Sequence, residues 1–169
     1  MAINKDSNTY TISFAIVLVI LVGGLLAALA NGLKPIQDEN LVNEKKQNIL
    51  NCLPGNKSIT RDEAGSVFAD FVKQRLILNY NGDVKENTLL DNSTELSNKD
   101  SKDAFSVDLL KEYKTIKDEK SRNYPLFICD VEGKTYYVAP VMGKGLWAAV
   151  WGFIAIDESG NSISGAVFD

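Results

Sequence analysis

The chain has 169 residues, 45% apolar and 24% charged, enough for one domain and an accessory segment. Eighteen Lys and Arg stand against 22 Asp and Glu, and a formal charge of −4 gives no basic stripe, so no nucleic-acid partner is expected. There is no histidine at all, which excludes His-based hydrolytic triads and most zinc sites, so no metal ligand set and no catalytic residue is assigned.

The first element is apolar. Thr11 to Ala30 is a run of 20 residues without a charge. As a helix it spans ~30 Å, the thickness of the hydrocarbon layer. Tyr10 stands at its start, where an amphipathic ring suits the membrane interface. Ala28-Leu29-Ala30 matches an A-x-A cleavage site, but the run exceeds the ~7–15 residues of a signal-peptide core. We therefore expect a retained single-pass anchor over residues 1–33, with the lipid bilayer as its partner. Positive charges follow the segment (Lys34, Lys45, Lys46) as well as precede it (Lys5), and counting them slightly favours a cytoplasmic C-terminus.

Lys34-Pro35 should break or kink that helix. Asp38 can cap a second, stalk-like helix to about Leu53, with Val42, Ile49, Leu50 and Leu53 on one side, ended by Pro54-Gly55. The stalk covers residues 34–55. Thr60-Arg61-Asp62-Glu63 fits a capping box, followed at helical spacing by Ala64, Val67, Phe68, Phe71, Val72 and Arg75. Leu76 to Tyr80 reads as a strand, with a turn at Asn81-Gly82. From Asp91 to Arg122 there are 15 charged residues, 8 acidic and 7 basic, which is the pattern of a solvated surface. Within it Phe105, Leu109, Tyr113 and Ile116 fit a short amphipathic helix.

The last third is β. Leu126–Val131 and Lys134–Ala139 flank Glu132-Gly133, and Trp151–Ile156 and Ser162–Phe168 flank residues 157–161, two hairpin signals implying antiparallel pairing. The fold class is α+β: an N-terminal transmembrane helix, then an antiparallel β-rich domain with flanking helices over residues 56–169. Cys129 alternates with Phe127 and Val131 and reads as a buried small hydrophobe; a disulfide with Cys52 is the alternative if the domain is extracytoplasmic.

Two stretches remain as candidates for chemistry. Gly143-Lys144-Gly145 is neither a P-loop nor a dinucleotide fingerprint, and by spacing it is a tight turn between strands. Trp147 and Trp151 come after it; Trp147, next to the glycines, can offer a flat apolar face to a planar ligand, whereas Trp151 is assigned to the core.

Tyr136-Tyr137-Val138-Ala139-Pro140 and Gly143-Lys144-Gly145-Leu146-Trp147 closely resemble the C subunit of the Na+-translocating NADH:quinone oxidoreductase, a bacterial respiratory pump. The resemblance implies FMN as cofactor, covalently attached through its phosphate to a threonine, with Gly145, Leu146 and Trp147 as the cofactor-binding residues. It implies electron transfer through FMN toward quinone, coupled to Na+ export. The other subunits of the membrane-bound complex would be the partners. Location in the bacterial inner membrane with a periplasmic domain is implied too.

The family continues past this region into a Ser/Thr-Gly-Ala-Thr motif whose threonine holds the flavin. That motif does not occur here: Ser164-Gly165-Ala166-Val167 imitates it but ends in a residue without a hydroxyl. The chain thus reads as the N-terminal part of such a subunit, lacking the attachment threonine and inactive by itself. The alternatives are the related G subunit of the Rnf electron-transport complex and a membrane-anchored extracytoplasmic scaffold without a redox role.

Overall fold

The computed structural model describes residues 7–55, 59–89 and 102–168. Its elements are α1 (Asn8–Asn51), α2 (Arg61–Phe71), β1 (Val72–Leu78), β2 (Val84–Leu89), the 3₁₀ turn Ala104–Ser106, α3 (Leu109–Thr115), a second 3₁₀ turn (Glu119–Ser121), β3 (Tyr124–Val131), β4 (Lys134–Lys144), β5 (Ala149–Asp157) and β6 (Ile163–Phe168). The architecture is α+β, a long apolar helix followed by a six-stranded antiparallel sheet with flanking helices. The chain divides into two compact units, residues up to Leu41 and residues from Val42.

In the first unit α1 is solvent-exposed along its apolar length, and it is long and apolar enough to cross a membrane. Pro35 lies inside α1, which continues to Asn51, so the helix is not broken there and no second helix starts at Asp38. Proline removes one N–H from the helical ladder. The long, uninterrupted helical sequence on either side outweighs that single loss.

In the second unit the strand order is β2-β1-β3-β4-β5-β6, with every neighbouring pair antiparallel. One row of paired residues crosses five strands: Arg75, Phe127, Val138, Ala155 and Gly165. Residues opposite one another share a face of the sheet. Phe127, Val138 and Ala155 of this row are fully buried and pack with Ile49, Leu50, Cys52 and Leu53, with Phe68 of α2, and with Phe105. The rings of Phe68 and Phe105 meet edge to face at 5.8 Å, and those of Phe127 and Phe153 at 6.4 Å. The row ends at Gly165 because a Cβ there would lie 2.0 Å from the carbonyl oxygen of Cys52, which is backbone and cannot move aside. A residue with no side chain lets the turn after α1 rest directly on β6.

The start of α2 matches its sequence signature. Thr60 caps it with its side chain on the Glu63 N–H, and the Glu63 carboxylate returns 2.9 Å to the Thr60 N–H. Its end does not match. The helical spacing carried Val72 and Arg75 into the helix, but α2 stops at Phe71 and Val72 turns straight into β1. A β-branched residue favours extended backbone, and pairing Val72 with Cys129 of β3 completes the switch. Strand β2 lay unrecognised in the polar run Val84–Leu89, which alternates too weakly to declare itself. The turn at Asn81-Gly82 and both later hairpins fall where their turn residues predicted.

The amphipathic helix expected from Phe105 to Ile116 is split. Phe105 belongs to the 3₁₀ turn and is buried, while α3 carries Leu109 to Thr115 and buries no residue. Asp103 and Asp108 cap the two pieces separately, each with a carboxylate oxygen on backbone N–H groups. Cys52 and Cys129 are both buried free thiols. Burial pushes Cys52 up to about 12 and Cys129 higher still, so neither is a reactive thiolate.

Candidate functional site: the tip of the β4–β5 hairpin

Strands β4 and β5 are the longest of the sheet, and their pairing reaches outward from Tyr136 opposite Asp157 to Lys144 opposite Ala149. Residues 145–148 connect them. The Gly145 N–H donates to the Ala148 carbonyl at 3.0 Å and closes the turn. A Cβ on Gly145 would sit 2.5 Å from that same oxygen and 2.8 Å from a Val150 methyl, so only glycine lets the turn shut this tightly.

The closed turn pushes its two large apolar residues into solvent. Leu146 is 91% exposed and Trp147 96% exposed, the most exposed large hydrophobics among the described residues. Val150 and Trp151, consecutive in β5 and so on opposite faces of the sheet, are 42% and 41% exposed. From Thr135 to Ile156 the only charged side chain is Lys144, so nothing acidic in this hairpin borders the tip. Single exposed apolar residues are ordinary, but an adjacent Leu–Trp pair this exposed at one hairpin tip marks a candidate contact surface.

The sequence brought Gly145, Leu146 and Trp147 forward as contact residues, and the structure gathers them on one turn. Trp151 is not in the core, as its sequence position had suggested. It pairs with Met142 two rungs beyond the buried Phe153 and is 41% exposed, outside the buried core cluster. Ser164-Gly165-Ala166-Val167 lies within β6, in agreement with its reading as a strand. Among the described residues no group of His, Cys, Asp and Glu is placed to hold a metal ion.

Two polar features lie away from the tip. Asp157, at the far end of β5, is held below the usual carboxylate range by the Ser159 hydroxyl and then by backbone N–H groups of the turn. The second is a buried ion pair the sequence did not reveal: Arg75 Nη2 donates to Asp103 Oδ2 at 2.6 Å, with the guanidinium almost wholly out of solvent. Among the described residues its Nε and Nη1 find no hydrogen-bond partner.

This chain is similar to the C subunits of Na(+)-translocating NADH-quinone reductases. The relative from Neisseria meningitidis serogroup A is 25% identical over 98% of this chain, and that from Vibrio anguillarum 29% identical over 99%. The crystal structure of the C subunit from Parabacteroides distasonis superposes with a TM-score of 0.62 at 29% identity, covering 81% of this chain and 57% of that one. The chain spans 64% and 65% of the length of the two curated relatives. No family model matches it.

Proposed function

We propose that this chain serves as the C subunit, or part of it, in a Na+-translocating NADH-quinone reductase, with the β4–β5 tip as its contact surface for a flavin. The observation that carries the reading is the exposed pair Leu146–Trp147 on a glycine-closed turn, in a chain similar over nearly its whole length to subunits of that name.

The tip fits the ring end of FMN. Trp147 offers an aromatic face open to solvent, and Leu146 an apolar edge beside it. Lys144 is the cation next to the turn in sequence. The phosphate end finds no counterpart in Ser164-Gly165-Ala166-Val167, which lies within β6 and ends in a residue without a hydroxyl. When bound, the flavin would supply the redox chemistry. The chain's own residues would orient the ring against Trp147 and keep water from one of its faces. Binding to the other subunits would bring that face within reach of its redox partners, in the inner membrane, with the sheet domain on the periplasmic side.

Affinity purification of the tagged full chain from membranes of its source organism tests the reading. Co-purification of the other reductase subunits, together with loss of Na+-stimulated NADH:quinone reduction on deleting the gene, is the expected result. A chain that purifies alone, from membranes whose activity survives its deletion, would overturn it. In the assembled complex Trp147→Ala should alter the visible flavin spectrum or its reduction, because the ring's surroundings set its electronics.

A further inference from the structure

The row of residues buried on one side of the sheet leaves the other side to their sequence neighbours, because successive side chains of a strand point to opposite faces. Ile163 of β6, Ile156 of β5, Tyr137 of β4 and Ile128 of β3 pair in one such outer row. Ile154 stands in the next, between Ala139 and Ala166, and Phe168 in the one beyond, opposite Gly152. None of them belongs to the packed core, and Ile163 and Phe168 are exposed. On β4, β5 and β6 no residue of these three rows is charged.

An antiparallel sheet that keeps one face in water alternates apolar with polar residues, whereas a strand covered on both faces reads as an unbroken apolar run. From Ala149 to Ile156 β5 is such a run, without a charged or hydroxyl-bearing side chain. The two edges of the sheet differ in the same sense. Edge strand β2 carries Lys85 and Glu86, charges that discourage further pairing, while edge strand β6 has neither a charge nor a proline. The uncharged face thus borders the uncharged edge.

We propose that this face of β4–β6 is a docking surface for one amphipathic helix of the reductase, apolar along the stripe it lays on the sheet and supplied by polypeptide outside these 169 residues. The proposal rests on the subunit reading above. Size selects the occupant: the outer two of three strands lie about 10 Å apart, one helix diameter. At roughly 15 Å along the strands, the patch falls far below the ~800 Å² that each partner gives to a stable dimer of rigid faces, so a second copy is not the occupant. A helix already held in the same membrane assembly needs less area, because co-anchoring raises its local concentration. The relatives have such polypeptide to spare. This chain spans 64% and 65% of two of them, and it covers 57% of the crystallised subunit, which carries further chain alongside the shared fold.

Photo-crosslinking names the occupant. The full chain carrying p-benzoylphenylalanine at Ile154, or at Val141 on the same face if that variant does not fold, is irradiated in membranes of the source organism, purified, and its adducts sequenced. The expected adduct is a peptide of a reductase polypeptide with apolar residues at helical spacing, in roughly tenfold excess over the same probe at Lys85 of β2. A second copy of the chain, lipid, a peptide without that spacing, or no adduct overturns the proposal. The other reductase subunits are followed in the same sample. Their absence refutes the subunit reading and the docking proposal with it. Their presence alongside any of the overturning results refutes the docking proposal alone.

Discussion

Removing the carboxylate of Asp103 is the sharpest test of how the domain is held together. Arg75, paired with Thr88 on one side and Phe127 on the other, is 1% exposed, and Asp103 is 5% exposed. Among the described residues their contact at 2.6 Å is the one ion pair of a guanidinium whose Nε and Nη1 find no hydrogen-bond partner there. Burial lowers the Arg75 affinity for its proton, with Asp103 pulling the other way through charge and hydrogen bond. Asp103→Ala therefore strips a buried charge of its described counterion, which costs about 3–5 kcal/mol. It also frees the Phe105 N–H. The double variant Arg75→Met/Asp103→Ala removes the stranded charge and should regain at least ~2 kcal/mol, because an apolar pair of similar volume can replace a buried ion pair. Urea unfolding of the detergent-solubilised chain, followed by circular dichroism, resolves this. At a slope of about 2 kcal/mol/M, Asp103→Ala should lower the midpoint by ~2 M. If Asp103→Ala loses under about 1 kcal/mol, or the double variant is no more stable than the single, the ion pair does not have the role given to it.

Gly165→Ala should destabilise by at least ~1–3 kcal/mol, since its Cβ would enter the Cys52 carbonyl; an unchanged melting temperature would contradict the close packing of β6. Thr60→Ala should cost about 1 kcal/mol by removing the α2 cap, read by the same unfolding assay. Glu63 is held below its usual range chiefly by the Thr60 backbone N–H, so its contribution is present above the unfolded value and fades as pH falls through the folded one. Glu63→Gln should thus destabilise the chain at neutral pH and be nearly silent in acid below the folded value, and an equal effect at both would refute the carboxylate's part in the cap. The full chain should stay in the membrane pellet after alkaline carbonate extraction, with its N-terminus ahead of Thr11; a mature start at Asn31 would mean cleavage instead.

Much of this protein is written in local sequence. The uncharged run from Thr11 to Ala30, the capping box at Thr60, and the turn residues at Asn81-Gly82, Glu132-Gly133 and 157–161 each act over a few residues, so their elements emerge without knowledge of the rest. The candidate contact turn is legible for the same reason: Gly145, Leu146 and Trp147 are consecutive, and the glycine-bent turn displays the two residues after Gly145. Tertiary structure decided whatever depends on distant partners. Val72 left its helix because β3 offered a strand to pair with, and β2 formed on the other edge of β1 despite its polar sequence. Trp151 is exposed because the buried part of β5 begins only at Gly152 and Phe153, a limit set by packing and not by spacing. Arg75 met Asp103 across 28 residues, and Lys45 met the Phe105 and Val107 carbonyls across 60 and 62. Burial arises only when the sheet, the end of α1 and the 3₁₀ turn close on one another, and no spacing within the sequence encodes that closure.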